Sequence, residues 1–378
     1  MKTFYKCLFL MALQLFVIQN LYGVREIQGD TLPAKYPLFV GVNYQYGFTM
    51  NHNAAMAALN TKHFSIYELS LYRQTTGASY WEQKCAYPAY GVTFMYSELA
   101  NPQQLGRMFG LYPYLDFSIF SWKHYNKICF MVGVGLAYGT KPYDRFDNYK
   151  NISYGSHINA LIRLGLKGNI RIFPKLDLLG GFNFTHISNG TTKEPNYGLN
   201  TPSLFLGLNY QINNVPDERI VREEKPRQKY PYTLQIATYG GYKDIDWTGT
   251  SVYFVGELNF NLLKQYRFAR SWGAGFALSM DYAEIELLKR KEEFSGSAAS
   301  YVIPSVKVIH QFHIYRICIG TELAYMIYNK GGGKNMYANL TLGYDINDWL
   351  TAGLSLRAGA FYAYHIGLGL GFKVWKIR

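Results

Sequence analysis

The chain has 378 residues, a length that suits one large domain or two small ones. Its 35 Tyr, 24 Phe and 36 Gly go with a mean hydropathy of only −0.12, and beyond the N-terminus no run of about 18 apolar residues occurs, which excludes membrane-spanning helices. This composition is typical of an all-β transmembrane barrel, although a secreted β-sandwich has a similar one. The net charge of +13 would suit nucleic acid, but that partner is not expected for an exported barrel.

The first 23 residues have the pattern of a signal peptide. Lys2 and Lys6 form a charged start, an apolar stretch covers residues 8–18, and cleavage is expected near Gly23. Cys7 would be removed with this segment. The three cysteines left, Cys85, Cys129 and Cys318, are too few for a disulfide framework or a zinc site.

Apolar and small or polar residues alternate in many segments after residue 36, as in half-buried β-strands. About eight such segments precede residue 213 and about eight follow residue 231. The first set lies near 37–49, 62–73, 89–98, 107–121, 127–139, 156–171, 176–188 and 201–213. The second set lies near 231–242, 250–263, 271–283, 301–313, 316–328, 336–346, 349–361 and 364–376. Both sets predict antiparallel strands.

Between the sets, residues 214–230 form a charged linker that contains Pro216 and Pro226. The strands could close as one barrel of about sixteen strands or as two eight-stranded barrels in tandem. Small residues on the inner faces and the long linker favour two narrow barrels. The expected domains are therefore a barrel at 24–213 and a second barrel, or second half of one barrel, at 231–378.

The seventh predicted strand ends in the sequence Thr185-His186-Ile187-Ser188-Asn189-Gly190. His186 and Ser188 continue the register of Phe182 and Phe184, so both are expected to point outward from the barrel. Two residues apart on one strand face, a His and a Ser can reach hydrogen-bonding distance, as an activated nucleophile requires. The alternative is an ordinary polar strand end that enters a turn.

The segment 185–190, followed by Pro195-Asn196-Tyr197-Gly198, resembles the active-site segment of the outer-membrane lipid A deacylases of the PagL type, which are acyloxyacyl hydrolases. The stretch 135–144, with 150–151 and 155–157 after it, is similar to longer members of that group. The resemblance covers about residues 37–213, and none is evident in 231–378. It implies an eight-stranded barrel with a His–Ser pair and an acidic third member.

By this resemblance, Ser188 is the expected nucleophile and His186 the general base in ester hydrolysis on lipid A. Asn196 and the backbone N–H of Gly190 are the expected oxyanion hole. Where the family has its acidic residue, this chain has Asn200. An amide can orient a histidine, and Glu194 is the other candidate for that role.

Asn189, Lys141 and Arg145 are the expected substrate-binding residues, the latter two because their charged loop suits the phosphates of lipid A. The expected partners are the membrane and lipopolysaccharide in the outer leaflet of the outer membrane. No phosphate loop, metal-ligand cluster or cofactor signature occurs in the sequence, so no cofactor or metal is expected.

The second half is expected to carry no catalytic group. Glu257 and Glu322 fall on inner faces there and are expected to form ion pairs in the lumen with partners such as Arg357. A non-enzymatic outer-membrane barrel, either a porin or a structural or adhesive anchor, is the alternative function. An outward orientation of His186 and Ser188 distinguishes the enzyme from this alternative.

Overall fold

The computed structural model describes residues 36–51, 54–60, 62–122, 126–215, 231–247, 250–330, 335–359 and 363–377. The expected signal peptide at 1–23 and residues 216–230 of the expected linker lie outside this range. In the described part of the chain, no helix is long and apolar enough to cross a membrane.

Within the described ranges the chain forms two closed antiparallel barrels of eight strands each. The first contains β1 (Leu38–Gly47), β2 (Phe64–Gln74), β3 (Ala89–Glu98), β4 (Arg107–Ser121), β5 (Lys127–Gly139), β6 (Ile158–Phe173), β7 (Leu176–Ser188) and β8 (Leu199–Gln211). The second contains β9 (Tyr232–Asp244), β10 (Val252–Arg267), β11 (Arg270–Asp281), β12 (Ile303–Ile314), β13 (Ile317–Met326), β14 (Met336–Asp345), β15 (Leu350–Ala358) and β16 (Ala363–Ile377). The prediction of two small barrels is confirmed, and a single barrel of about sixteen strands is excluded.

Each barrel closes by pairing its first strand with its last. In the first barrel β1 runs antiparallel to β8, from Phe39 opposite Gln211 to Gly47 opposite Ser203. In the second, β9 pairs with both β10 and β16. Neither sheet is left with an open edge of unpaired backbone groups.

Short helices lie in the connections between strands. They are α1 (Ala54–Leu59), α2 (Tyr80–Lys84) and α3 (Tyr282–Arg290), with a 3₁₀ turn at Ala298–Tyr301. Because the strands alternate in direction, α1 and the three connections 99–106, 140–157 and 189–198 all lie at one end of the first barrel. We call this end the loop end.

The lumen of the first barrel is filled with side chains, as expected for eight strands. The Arg163 guanidinium, which has no exposed surface, pairs with Glu68 and hydrogen-bonds to Tyr112 and Thr185. In the second barrel Glu322 pairs with Lys307 at 2.8 Å and Glu257 pairs with Arg357, so the predicted ion pairs in that lumen are confirmed. Buried charges of this kind need such partners.

An apolar cluster closes the loop end of the first barrel. Met56 and Leu59 of α1 are buried in it with Tyr154, and Ile187 and Leu199, from β7 and β8, belong to the same cluster. Close packing leaves these side chains little freedom. The backbone that carries His186 and Ser188 is therefore supported from the inside.

Candidate active site

His186 and Ser188 lie on the outer face of β7 at its loop end. Along this strand the odd-numbered residues, such as Asp177 and Asn183, are buried in the lumen, whereas Leu178 and Phe182 are exposed on the outside. His186 shares the outer face with these apolar residues and is half-buried. Ser188 is only 8% exposed, because the connection that follows the strand lies against it.

A chain of two hydrogen bonds joins Asn200, His186 and Ser188. Nδ1 of His186 is 2.7 Å from Oδ1 of Asn200, and Nε2 of His186 is 3.0 Å from Oγ of Ser188. With Asn200 Oδ1 as acceptor, Nδ1 carries the proton and Nε2 is left free to accept one from the Ser188 hydroxyl. This is the arrangement of a serine nucleophile, its base and an orienting group.

The strand register explains why these three residues meet. Asn200 is the direct partner of His186 in the β7–β8 pair, and directly opposed residues on one sheet face have Cβ atoms about 5 Å apart. Ser188, two residues further along β7, emerges on the same face. The pairing of two adjacent strands, rather than contacts between distant parts of the fold, brings these three side chains together.

The connection 189–198 folds back over the strand end through its own polar groups. The backbone N–H of Asn189 donates to Oδ1 of Asn196 at 3.0 Å, and the N–H of Asn196 donates to Oε2 of Glu194 at 2.9 Å. Oδ1 of Asn196 therefore already accepts the N–H of Asn189. The side-chain NH₂ of Asn196 is the group that can donate to a substrate. The Glu194 carboxylate accepts a hydrogen bond from Asn196, whereas the two ring nitrogens of His186 contact Asn200 and Ser188.

The Asn189 side chain is buried and braces two connections. Its Nδ2 donates to Oγ of Ser156 at 3.0 Å and to the carbonyl of Lys193 at 2.7 Å. These bonds tie the connection 140–157 to the connection 189–198. A direct contact of Asn189 with substrate stays a prediction.

Two glycines of the connection 189–198 adopt positive φ angles, +62° at Gly190 and +75° at Gly198. L-residues rarely adopt this conformation, and Gly does so without penalty. A Cβ on Gly198 would lie 3.2 Å from Cε1 of His186 and 3.4 Å from Cβ of Ser188. The backbone of Gly198 therefore packs directly against the His–Ser pair, a position that the sequence motif did not reveal.

The segment 152–153 holds Gly198 in place. The N–H of Gly198 donates to the carbonyl of Ser153 at 2.8 Å, and the N–H of Tyr197 donates to the carbonyl of Ile152 at 3.2 Å. No periodicity marks these residues in the sequence, and only their contacts identify them as supports of the site.

The two basic residues predicted to bind substrate lie in the connection 140–157. Both are exposed, and Nζ of Lys141 donates to the carbonyl of Gln103 at 3.1 Å. Beside Arg145, hydrogen bonds from the N–H groups of Asp147 and Phe146 lower the pKa of the Asp144 carboxyl. Substrate binding by Lys141 and Arg145 stays a prediction.

Among the residues that the structure describes, no group of three or more His, Cys, Asp or Glu side chains is placed to hold a metal ion.

Two family profiles match the chain. The profile of the lipid A 3-O-deacylase PagL matches residues 66–209, and that of the acyloxyacyl hydrolase C-terminal domain matches residues 232–376. The fold and these matches define a carboxylic ester hydrolase built on antiparallel barrels. The chain belongs to the PagL family of lipid A 3-O-deacylases, the acyloxyacyl hydrolases. The family extends over the second half, which the resemblance at 37–213 did not include.

Solved structures resemble the chain only distantly. Neisserial surface protein A is 11% identical, with 46% of this chain and 97% of that chain covered and a TM-score of 0.32. A triple mutant of the Rhodopseudomonas blastica porin is 6% identical, with 91% and 100% covered and a TM-score of 0.19. No curated protein sequence matches the chain.

Proposed function

We propose that the first barrel, within residues 24–213, is a serine esterase that removes an acyl chain from lipid A by attack of Ser188. The observation that carries this proposal is the chain of hydrogen bonds from Asn200 through His186 to Ser188, at 2.7 and 3.0 Å, on the outer face of the barrel. The reaction in the family's name, 3-O-deacylation, is the one we assign to it.

In the first step, Oγ of Ser188 attacks the ester carbonyl carbon while Nε2 of His186 takes the hydroxyl proton. Asn200 Oδ1 accepts the Nδ1–H of the imidazolium that forms. Negative charge develops on the carbonyl oxygen, and we assign its stabilisation to Nδ2 of Asn196 and the N–H of Gly190. Collapse of the intermediate breaks the ester C–O bond, and His186 returns the proton to the leaving sugar hydroxyl.

In the second step, water replaces the sugar. His186 takes a proton from the water, whose oxygen attacks the acyl carbon bound to Ser188. The second intermediate collapses, Ser188 regains its proton from His186, and a free fatty acid leaves. Every proton transfer uses the same imidazole nitrogen, Nε2, so the reaction needs neither a metal nor an external cofactor.

An outward-facing site suits a substrate that surrounds the barrel. Phe182, Leu204 and Leu206 on β7 and β8 are exposed on the same outer face as the His–Ser pair. Such an apolar belt is typical of a barrel in lipid, and it supports our assignment of the protein to the outer membrane. With the loop end toward the cell exterior, the site would lie at the level of outer-leaflet lipopolysaccharide.

The alternative function, a porin or a structural anchor, has less support. An eight-stranded lumen filled by Glu68, Tyr112 and Arg163 offers no wide aqueous path. An anchor would not need a base and a nucleophile in hydrogen-bonding contact, and the family is one of hydrolases.

A serine-reactive probe tests the nucleophile directly. We expect a fluorophosphonate to label the full-length protein at Ser188, located by peptide mass spectrometry, and we expect Ser188→Ala and His186→Ala to abolish labelling. Ser65→Ala is the matched control and should be labelled like the wild type. Ser65 also lies on the outer face at the loop end, where it hydrogen-bonds to Tyr44. Equal labelling of wild type and Ser188→Ala would contradict the proposal.

A further inference from the structure

The connection 140–157 carries a rigid turn at residues 144–150, which we call the aromatic turn. Oδ1 of Asp144 accepts the N–H groups of Phe146 and Asp147 at 2.8 and 2.9 Å, and the backbones of Asp144 and Asn148 pair with each other. Nδ2 of Asn148 donates to three carbonyls, at 2.9 Å to Gln104, 3.1 Å to Lys141 and 2.9 Å to Pro142. The turn is therefore ordered before any ligand arrives, which lowers the entropy cost of binding.

The aromatic turn presents two rings to its surroundings. Phe146 is 83% exposed and Tyr149 is 59% exposed. Exposed aromatic side chains on the strands face lipid, but these two lie beyond the strand ends, which are at Gly139 and Ile158. An ordered turn with a bare phenylalanine at its tip is a surface suited to a ligand with a flat apolar face.

Two cations flank the rings. Arg145 and Lys150 are both exposed, and Nζ of Lys150 lies 5.9 Å from the centre of the Tyr149 ring. The turn also contains two carboxylates, Asp144 and Asp147, and that of Asp144 accepts the N–H groups of the turn. Aromatic rings with an arginine and a lysine beside them are complementary to a ligand that has both an apolar sugar face and phosphate groups.

The aromatic turn is continuous with the support of the candidate active site. The chain runs from Lys150 into Ile152 and Ser153, whose carbonyls accept the N–H groups of Tyr197 and Gly198. The aromatic turn therefore belongs to the same connection that holds Gly198 against the His–Ser pair.

We propose that the aromatic turn binds the phosphorylated saccharide of an anionic glycolipid, with Phe146 against a sugar ring and Arg145 and Lys150 on phosphate. The inference rests on the proposed function, because it assigns the headgroup of the same lipid substrate. The turn acts by positioning: it touches no reacting atom, and its effect is on substrate affinity.

The test compares two substrates in the full-length protein. Lipopolysaccharide in mixed micelles carries the sugar and phosphates, whereas a short-chain p-nitrophenyl ester carries neither. We expect Phe146→Ala to raise KM for lipopolysaccharide about fivefold, and Arg145→Ala with Lys150→Ala about 25-fold, because each lost contact contributes on the order of 1 kcal/mol, or about a factor of five. We expect kcat, and hydrolysis of the p-nitrophenyl ester, to stay at the wild-type level.

Phe173→Ala is the matched control, because Phe173 is 64% exposed at the opposite end of the barrel, where it is the last residue of β6. It should leave both substrates unaffected. An unchanged KM in Phe146→Ala, an equal rise in Phe173→Ala, or loss of activity on both substrates would overturn the proposal.

Direct binding separates this proposal from the proposed function. In the Ser188→Ala background, Phe146→Ala should weaken binding of lipopolysaccharide micelles about fivefold, whether or not Ser188 is the nucleophile. With lipid A whose phosphates have been removed, Arg145→Ala and Lys150→Ala should cause no further loss. Equal loss with and without phosphates would overturn the assignment of the two cations.

Discussion

Asn200 and His186 lie directly opposite each other on β8 and β7, and Oδ1 of Asn200 is 2.7 Å from Nδ1 of His186. The amide fixes the histidine tautomer and the orientation of its ring. Unlike a carboxylate, it brings no negative charge to stabilise the imidazolium. The His186 ring is therefore oriented as the proposed mechanism needs, but its imidazolium form lacks the stabilisation that a carboxylate would give.

Removal of this contact should lower activity more than removal of Glu194. We expect Asn200→Ala to reduce kcat on lipid A about 10²-fold, because the ring loses its orientation. Glu194→Ala should cost less, since that carboxylate accepts the N–H of Asn196, and Glu194→Gln should be nearly neutral because its amide oxygen can still accept. Steady-state release of fatty acid measures all three, and the opposite order would assign the orienting role to Glu194.

Introduction of a charge at Asn200 should move the pH profile. In Asn200→Asp the carboxylate stabilises protonated His186, so the acidic limb of the kcat/KM profile should shift to higher pH. The rate on the high-pH plateau should rise, because the imidazolium formed in the transition state is stabilised as well. An acidic limb at the wild-type pH would indicate that residue 200 does not act on the histidine.

Gly198 offers a test of packing at the site. A Cβ at this position would lie 3.2 Å from Cε1 of His186, and the backbone φ is +75°. We expect Gly198→Ala to lower kcat at least tenfold while the purified barrel still shows the heat-dependent gel shift of a folded outer-membrane protein.

Gly296→Ala is the control for backbone strain alone. Gly296 has a φ of +85° but lies in the second barrel, where its added Cβ would have no neighbour closer than 3.5 Å. Loss of activity in this variant equal to that in Gly198→Ala would mean that strain, rather than contact with His186, explains the effect.

The first barrel should function without the second. Because β1 pairs with β8, residues 24–213 contain a complete sheet with no open edge. We expect this fragment to insert into membranes and to retain measurable esterase activity. The reciprocal fragment 231–378 also closes on itself and should insert, but should not hydrolyse lipid A. Aggregation of the 24–213 fragment beside an active full-length protein would contradict this independence.

The strand alternation carried much of the information about the site. The period of two along 176–188 places His186 and Ser188 on the outer face, and parity favours Asn200 over Glu194 as the partner of His186. Small inner residues such as Gly133 predicted narrow barrels. In the structure a Cβ on Gly133 would lie 2.7 Å from the Tyr112 ring, so there is indeed no room for a larger side chain. The alternation of side chains between the two faces of a strand is local, so a single sequence is enough to derive it.

The connections could not be derived in this way. The contacts between Ser153 and Gly198, and between Asn189 and Ser156, join residues 33 to 45 positions apart in segments without a repeating pattern. Long loops owe their shape to tertiary hydrogen bonds, which local propensity does not encode. The aromatic turn is an exception in part, since Asp144 forms its bonds within three residues.

Mass spectrometry of lipid A tests the central claim most directly. Lipid A would be extracted from Gram-negative cells that produce the wild-type protein, the Ser188→Ala variant or neither, with equal amounts of folded protein in the outer membrane. The account predicts that the wild type alone yields lipid A lighter by one ester-linked acyl chain, and that Ser188→Ala matches cells without the protein because loss of a nucleophile costs about 10⁴-fold or more in rate. Lipid A of unchanged mass with the wild type, or the same mass loss with Ser188→Ala, would contradict it.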